Sequence, residues 1–449
     1  MDEQFLKKLA DCAEKTSMIN QELYDKYNVK RGLRNKDHTG VLVGLTHIGD
    51  VIGYKTVEGV ITPAEGDLLY RGISVKKLAE GFQKDSRQGF DETSFLLLFG
   101  KLPTKKELDK FSSELAELRK LPHNFTETMI LNLKGKDMMN MLARSVLALY
   151  TLDSNADDVS TQNILKQSMD LIAKFPTIIV HSYQAMRYHY QNQNLSIRHP
   201  EKHITTAENF LYMLKGKDRY TKLEAEILDL ALVLHAEHGG GNNSSFTIRV
   251  VSSSGTDTYS AVAAAIGSLK GPLHGGANLG VADMIDDLKK NVKDWKDEKQ
   301  VSDHLLNILN KKTGDKSGKI YGFGHAVYTL SDPRAVILKG KAKELAAEQN
   351  KIEEFELYER VEKLVPSVMK EFKGLDRPIS ANVDFYSGFV YASLGIPKEL
   401  NTPLFAMARI VGWCAHRVEE IVSSKKIIRP AYKNVAPING YLPLDQRKD

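Results

Sequence analysis

From about residue 74 to residue 423 the apolar side chains of this chain recur at the spacing of an α-helix, and no comparable alternating pattern competes with them. That period commits most of the chain to helix-on-helix packing and leaves no room for a sheet-centred core. The sharpest case is Glu224 to His238, where Ile227, Ala231, Leu234, His235 and His238 fall at i, i+4, i+7, i+8 and i+11 and share one face. Gly239-Gly240-Gly241 then stops the helix. Further helices are expected at 137–152, 161–190, 205–215, 257–270, 279–291, 299–311 and 351–373, the last with a kink at Pro366. Leu96 to Phe99 stop at Gly100, and Pro103-Thr104 opens the next helix. Asp332 as N-cap with Pro333 at the first helical position marks another start, and Thr402-Pro403 is expected to cap a last long helix. Residues 5–28 read as one polar helix. The main β signal lies at 40–62, where Gly40, Gly44, Gly49, Gly53 and Gly59 punctuate β-branched residues and predict short strands or hairpins. The tail after Pro430 reads as extended and polar. The fold class is all-α.

With 449 residues the chain exceeds what one core usually serves, so two domains or one large helical domain are expected. A net charge of +5, with Lys and Glu interleaved, argues against a nucleic-acid partner and leaves room for a local basic pocket for an anionic metabolite. Cys12 and Cys414 form no disulfide framework, which suits a reducing compartment. No run approaches the ~18 apolar residues of a membrane span. Met1-Asp2-Glu3-Gln4 opens neither a secretory signal nor an Arg-rich transit peptide. The expected location is the cytoplasm, with no membrane association.

Three histidines share one setting. His238, His274 and His325 each lie beside glycine at a helix boundary, His274 within Gly271-Pro272-Leu273-His274-Gly275-Gly276-Ala277-Asn278. Glycines let the backbone turn sharply and let another molecule approach, and a histidine there can offer a ring nitrogen. The plain alternative for any one of them is a solvated loop residue; three in the same setting point to a site. His235, one turn inside an apolar face, reads as a core or supporting histidine. Arg334 follows a helix cap, where anions are favoured, against the alternative of a surface salt bridge. Asp384 follows Asn382 and precedes an aromatic pair and Ser-Gly, against the alternative of a helix cap. Histidines that donate to carbonyl oxygens, one carboxylate base and several arginines suit carbon–carbon bond formation between a thioester and an anionic keto acid. The base takes a proton alpha to the thioester, a neutral histidine holds the enolate, a second polarises the ketone, and arginines clamp carboxylates.

The sequence resembles the citrate synthases. The resemblance rests on Leu234-His235-Ala236-Glu237-His238 with its glycines and Asn242, on the His274 octet, and on Gly322-Phe323-Gly324-His325-Ala326-Val327-Tyr328 with Asp332-Pro333-Arg334. It rests also on Asn382-Val383-Asp384, Leu69-Tyr70-Arg71-Gly72 and Leu96-Leu97-Leu98-Phe99-Gly100-Lys101-Leu102-Pro103-Thr104, and spans about residues 40–432 in order. It implies condensation of acetyl-CoA with oxaloacetate and hydrolysis of citryl-CoA to citrate and CoA. His274 would assist enolisation, Asp384 would be the base, and His325 would activate the ketone. His238, Arg334, Arg409 and Arg429 would bind oxaloacetate, with Arg429 reaching across the interface of a homodimer. The glycine loop before His325 matches the region that contacts the CoA adenine. Acetyl-CoA is a substrate, so no cofactor and no metal are implied. The family fold places a large helical domain at 1–276 and 394–449, with a smaller helical domain inserted at 277–393. The active-site cleft lies between them, and β structure is limited to short hairpins near the N-terminus.

Four other readings compete. A 2-methylcitrate synthase would use propionyl-CoA with the same residues. A metal-dependent hydrolase would use His235, His238, His274 and Asp384, without the Glu-centred H-E-x-x-H arrangement. His238-Gly239-Gly240-Gly241 mimics a lipase phrase, but the chain has no G-x-S-x-G elbow. A helical scaffold without catalysis would leave the clustered His, Arg and Asp residues without a purpose.

Overall fold

The computed structural model describes residues 2–35, 39–57, 60–374 and 378–447, so Met1 and Gly59, used above, lie outside the described residues. The chain divides into two units, Met1–Thr46 and His47–Asp449. In the first, α1 (Glu3–Ser17) and α2 (Gln21–Lys26) replace the single helix expected over 5–28. Asp2 caps α1, and the Asn20 side chain accepts from the Glu22 N–H to start α2 afresh. Neither helix buries a residue.

The second unit opens with an antiparallel hairpin of β1 (Gly49–Val57) and β2 (Val60–Tyr70), to which β3 (Ile73–Ser74) adds on the β2 side. Strand structure thus starts later and runs further than the glycine pattern at 40–62 indicated. The reason is burial: Leu68 and Tyr70 at the end of β2 are fully buried, and the core they join belongs to the helices that follow. Gly49 pairs with Tyr70 and Val51 with Leu68, and the register shifts between Ile52 and Tyr54, which places a bulge at Gly53.

The rest is helical: α3 (Val75–Lys84), α4 (Phe90–Phe99), α5 (Lys105–Leu118), α6 (Met138–Tyr150), α7 (Thr161–Tyr190), α8 (Thr206–Lys215) and α9 (Lys222–His235). Then follow α10 (Asn243–Ser252), α11 (Thr258–Lys270), α12 (Ala277–Asn291), α13 (Glu298–Leu309), α14 (Pro333–Glu348), α15 (Ile352–Lys373), α16 (Val383–Ser393) and α17 (Asn401–Ser423). Helix starts carry the chemistry that makes them: Thr104, Thr205 and Thr221 form capping boxes with Glu107, Glu208 and Glu224. Gly100 ends α4 in the left-handed conformation at φ 77°. Pro366 sits inside the unbroken α15, as Pro176 does inside α7.

The core is built around α17, which packs on α4, α7, α9, α10 and α11. Its residues from Ala406 to Arg417 are buried without interruption, the mark of a helix enclosed on all sides. Each fully buried Leu or Ile there contributes ~2 kcal/mol through apolar burial. In such a helix buried polar atoms need local partners: His416 finds them on both ring nitrogens, in Arg249 and Glu237, whereas Arg409 finds only one, through Nε. The expected cap at Thr402 is absent: α17 begins at Asn401, and the Thr402 hydroxyl instead donates to the Gly275 carbonyl at 3.0 Å. That bond ties the central helix to the loop that carries His274.

Candidate active site

The end of α11 delivers His274. Its N–H donates back to the Gly271 carbonyl at 2.9 Å, and Gly275 donates to the same oxygen at 3.1 Å, so the octet closes as a tight turn. A side chain at Gly275 would run into the Leu269 carbonyl and lie 2.9 Å from the Thr402 methyl, which is why glycine stands there. The His274 Nε2 lies 3.0 Å from Ser244 Oγ and receives the Ser244 backbone N–H at 3.4 Å. Trp413 Nε1 donates to the same Ser244 hydroxyl at 3.0 Å, and that hydroxyl lies 3.0 Å from Asn242 Oδ1. An N–H aimed at Nε2 assigns the ring proton to Nδ1. Burial, with help from the Arg409 charge, pushes the His274 pKa down to about 4, so the ring is a neutral donor at pH 7.

A second pair stands on the turn after α9 and the loop before α14. Tyr70 locks the turn: its hydroxyl donates to the Val233 carbonyl at 2.9 Å and meets the Glu237 carbonyl at 3.2 Å. His238 is held there edge-on to His325, ring centres 5.0 Å apart at 87°. His325 Nδ1 accepts the backbone N–H of Val327 at 3.0 Å and of Tyr328 at 3.1 Å, so in the neutral ring the proton sits on Nε2. Its ring stacks on Tyr328 at 4.6 Å. His238 is buried, its Nε2 meets no protein partner, and burial beside Arg334 holds it well below the ordinary histidine range. It too is neutral.

The arginines differ. Arg334 is buried and already paired: Nε and Nη2 donate to the Asp332 carboxylate at 3.0 and 2.7 Å. Asp332 also accepts the Val383 N–H at 3.2 Å, which couples this pair to the start of α16. Arg409, fully buried, donates Nε to the His235 carbonyl at 2.7 Å and lies 4.7 Å above the Phe405 ring, while both of its terminal nitrogens lack protein partners. Burial pushes its pKa down to about 10, so it remains a cation. Arg429 is exposed, in the segment without regular structure after α17, and no contact described above reaches it.

Asp384 lies in the first turn of α16. Asn382 is the cap, its side chain accepting the Asp384 N–H at 3.1 Å, so the Asp384 carboxyl is not spent on the turn. Burial pushes that carboxyl up to about 6 against the opposing pull of Arg334. His235 keeps a supporting place: Nδ1 bonds the Ala231 carbonyl at 2.7 Å and its ring meets Phe405 edge-on at 5.1 Å. Phe405 also lies edge-on to His274 at 6.3 Å. Among the described residues no three His, Cys, Asp or Glu side chains converge as metal ligands.

Six of the seven residues singled out from the sequence are therefore linked. Ring contacts and charge join His238, His325, Arg334, Arg409 and Asp384, and Phe405 joins His274 to Arg409. Ser244, Trp413, Tyr70, Phe405 and Asp332 were not singled out as parts of the site. In the sequence Asp332 reads as a helix cap and as part of the family phrase before Arg334, not as the partner of that arginine. The rest act through packing partners distant in sequence, which no local pattern announces.

The linked set holds neutral imidazoles at His238 and His274, a carboxyl raised by burial at Asp384 and a cation with two unpartnered nitrogens at Arg409. It suits proton abstraction beside a carbonyl, with charge stabilised by donors that are already in place.

The family model described as "Citrate synthase, C-terminal domain" matches residues 37–431. A citrate synthase of Deinococcus radiodurans is 39% identical over 370 residues, covering 82% of this chain and 90% of that protein. A 2-methylcitrate synthase of Shewanella oneidensis is 35% identical over 372 residues, covering 82% and 89%. Among solved structures, a ternary complex of citrate synthase from Thermoplasma acidophilum with carboxymethyl coenzyme A and oxaloacetate superimposes with a TM-score of 0.76. Its identity is 28%, covering 93% of this chain and 99% of that one.

Proposed function

We propose, from the premise that this chain belongs to the citrate synthase family, that it condenses acetyl-CoA with oxaloacetate and hydrolyses the citryl thioester to citrate and CoA. Two observations support the residue roles: Asn382 caps the turn, which leaves the Asp384 carboxyl unspent, and the Ser244 N–H aimed at His274 Nε2 leaves that ring's proton on Nδ1. In its ionised form Asp384 takes a proton from the acyl α-carbon. His274 donates Nδ1–H to the thioester oxygen as the enolate forms, and the site supplies no strong acid to leak a proton back. The α-carbon then attacks the ketone carbon of oxaloacetate. His325, through Nε2–H, supports the ketone oxygen as it becomes an alkoxide, and His238 flanks it. Arg409 offers its two unpartnered nitrogens to a substrate carboxylate. Arg334, held by Asp332, contributes charge and its remaining donor. Water finally cleaves the thioester.

Further parts of the reading follow the family. The segment 277–393 moves as a smaller domain and closes over the substrates, which shields an enolate from water. The loop before His325 receives the CoA adenine. The working unit is a homodimer, and Arg429 acts on the partner subunit's site, in keeping with its exposure on its own chain. No cofactor takes part, and the enzyme works in the cytoplasm; among the described residues no helix is long and apolar enough to cross a membrane.

Thiol release from acetyl-CoA that depends on oxaloacetate is the expected activity, read with a thiol reagent. Propionyl-CoA should be the poorer substrate, because one extra methylene costs ~1–3 kcal/mol in a pocket shaped for acetyl. A clear preference for propionyl-CoA would move the chain to the 2-methylcitrate branch, and no release with either thioester would sink the reading. The pH profile follows from Asp384. Below pH 6 the base is protonated, so kcat/KM should fall about tenfold per pH unit toward pH 4, where His274 begins to take a proton. A rate flat from pH 5 to 8 would remove Asp384 as the base.

A further inference from the structure

We propose that the β1–β2 hairpin is a strut that sets the spacing of the two histidine-bearing loops, with Gly53 and Gly66 as its positioning residues. The inference rests on the reading that His238 and His325 face oxaloacetate. One side of the strut backs the His238 turn: Gly49 lies against the Glu237 side chain, and the Val51 methyl lies 3.2 Å from where a Cβ would stand at Gly239. Tyr70, paired with Gly49 across the hairpin, bonds the same turn through its hydroxyl.

The other side backs the loop from His325 to Arg334. At the bulge, a Cβ on Gly53 would stand 2.5 Å from the Val327 carbonyl oxygen and 2.8 Å from its carbon. A Cβ on Gly66 would run into the Ser331 carbonyl and stand 2.9 Å from both Pro333 Cδ and Tyr328 Cδ1. Polar contacts fix the same contact in register: Gly66 N–H donates to Ser331 Oγ at 3.2 Å, the Ser331 hydroxyl donates to Glu65, and the Tyr328 hydroxyl donates to the Asp67 carbonyl at 3.3 Å. Val327 and Tyr328 are the residues whose N–H groups orient the His325 ring. A backbone that approaches a backbone this closely cannot yield as a flexible side chain can, so a methyl at either glycine must move the loop. Displacement of a catalytic constellation by about an ångström is enough to cost on the order of 100-fold in rate.

Gly53→Ala and Gly66→Ala should each lower kcat/KM for oxaloacetate at least tenfold while KM for acetyl-CoA stays within about twofold. Gly81→Ala, on an exposed face of α3 with nothing within 4 Å of its Cβ, is the control and should leave both substrates unchanged. Ser331→Ala adds no bulk and removes both hydroxyl contacts of the strut, so it reports even if an alanine at the glycines prevents folding. It should shift oxaloacetate kinetics in the same direction, by a few-fold. Wild-type oxaloacetate kinetics in Ser331→Ala and in whichever glycine variant folds would overturn the strut. So would an equal loss for both substrates, as from general destabilisation. Absence of oxaloacetate-dependent thiol release in the unaltered enzyme would instead overturn the functional reading beneath it.

Discussion

Asp384→Asn is expected to lower kcat at least ~10³-fold, with KM for both substrates little changed, because it removes the only base in the scheme and keeps its shape. The backbone bond from the residue-384 N–H to Asn382 does not involve the carboxyl, so α16 should still start where it does. The same variant should be more stable than the parent. Burial raises the Asp384 pKa to about 6, so between about pH 4 and pH 6 the folded protein holds a proton that the unfolded chain has released. Above pH 6 both states are ionised and the cost of a partly buried carboxylate is fully present. Asparagine removes that cost, a gain on the order of 1–2 kcal/mol at pH 8 that shrinks toward zero below about pH 4. Thermal unfolding at pH 8 and at pH 5, beside a steady-state assay, checks both halves. Near-normal turnover in Asp384→Asn would assign proton abstraction elsewhere. A stability loss at pH 8 would mean that the carboxylate holds the fold instead of straining it.

The helices were legible because their signals are local. The capping Thr-x-x-Glu pattern at 104, 205 and 221, and glycine stops such as Gly100, act within one turn of the residues that carry them. The candidate-site histidines stand out for a related reason, since each has glycine beside it in the sequence. What could not be read is set by contacts between distant segments. Ser244 matters to His274 through 30 residues of separation, and Trp413 to Ser244 through 169. Thr402 looked like a cap because Thr-Pro starts helices, but Gly275, 127 residues away, takes its hydroxyl. The hairpin misled for the same reason: Gly53 looked like turn punctuation, and it is instead, like Gly66 further along, a place where another backbone presses close. The two arginines are the clearest case. Both read as carboxylate clamps, and only the pairing of Arg334 with Asp332 shows that one of them comes to the site already engaged.

That difference sets the second large effect. Arg409→Met should raise KM for oxaloacetate by roughly 30- to 5,000-fold, the ~2–5 kcal/mol that follows when one partner of a buried charge pair is truncated, while Arg334→Met should also disturb Asp332 and the start of α16. Arg409 brings two donors that meet nothing in the ligand-free protein, from a helix buried on every side, above a Phe405 face that fixes the plane of the guanidinium. Arg409→Lys should recover little, because an ammonium keeps the charge and loses the fork. Binding can be read apart from turnover. Oxaloacetate should raise the Tm of the unaltered protein with concentration, as any ligand of the folded state does, and that rise should collapse in Arg409→Met at the same concentrations. If the ligand-induced shift and KM survive the substitution, the clamp is Arg334 through its remaining nitrogen. Asp332, which takes Nε and Nη2, would then hold that nitrogen in place, and Asp332→Asn would weaken oxaloacetate binding as well.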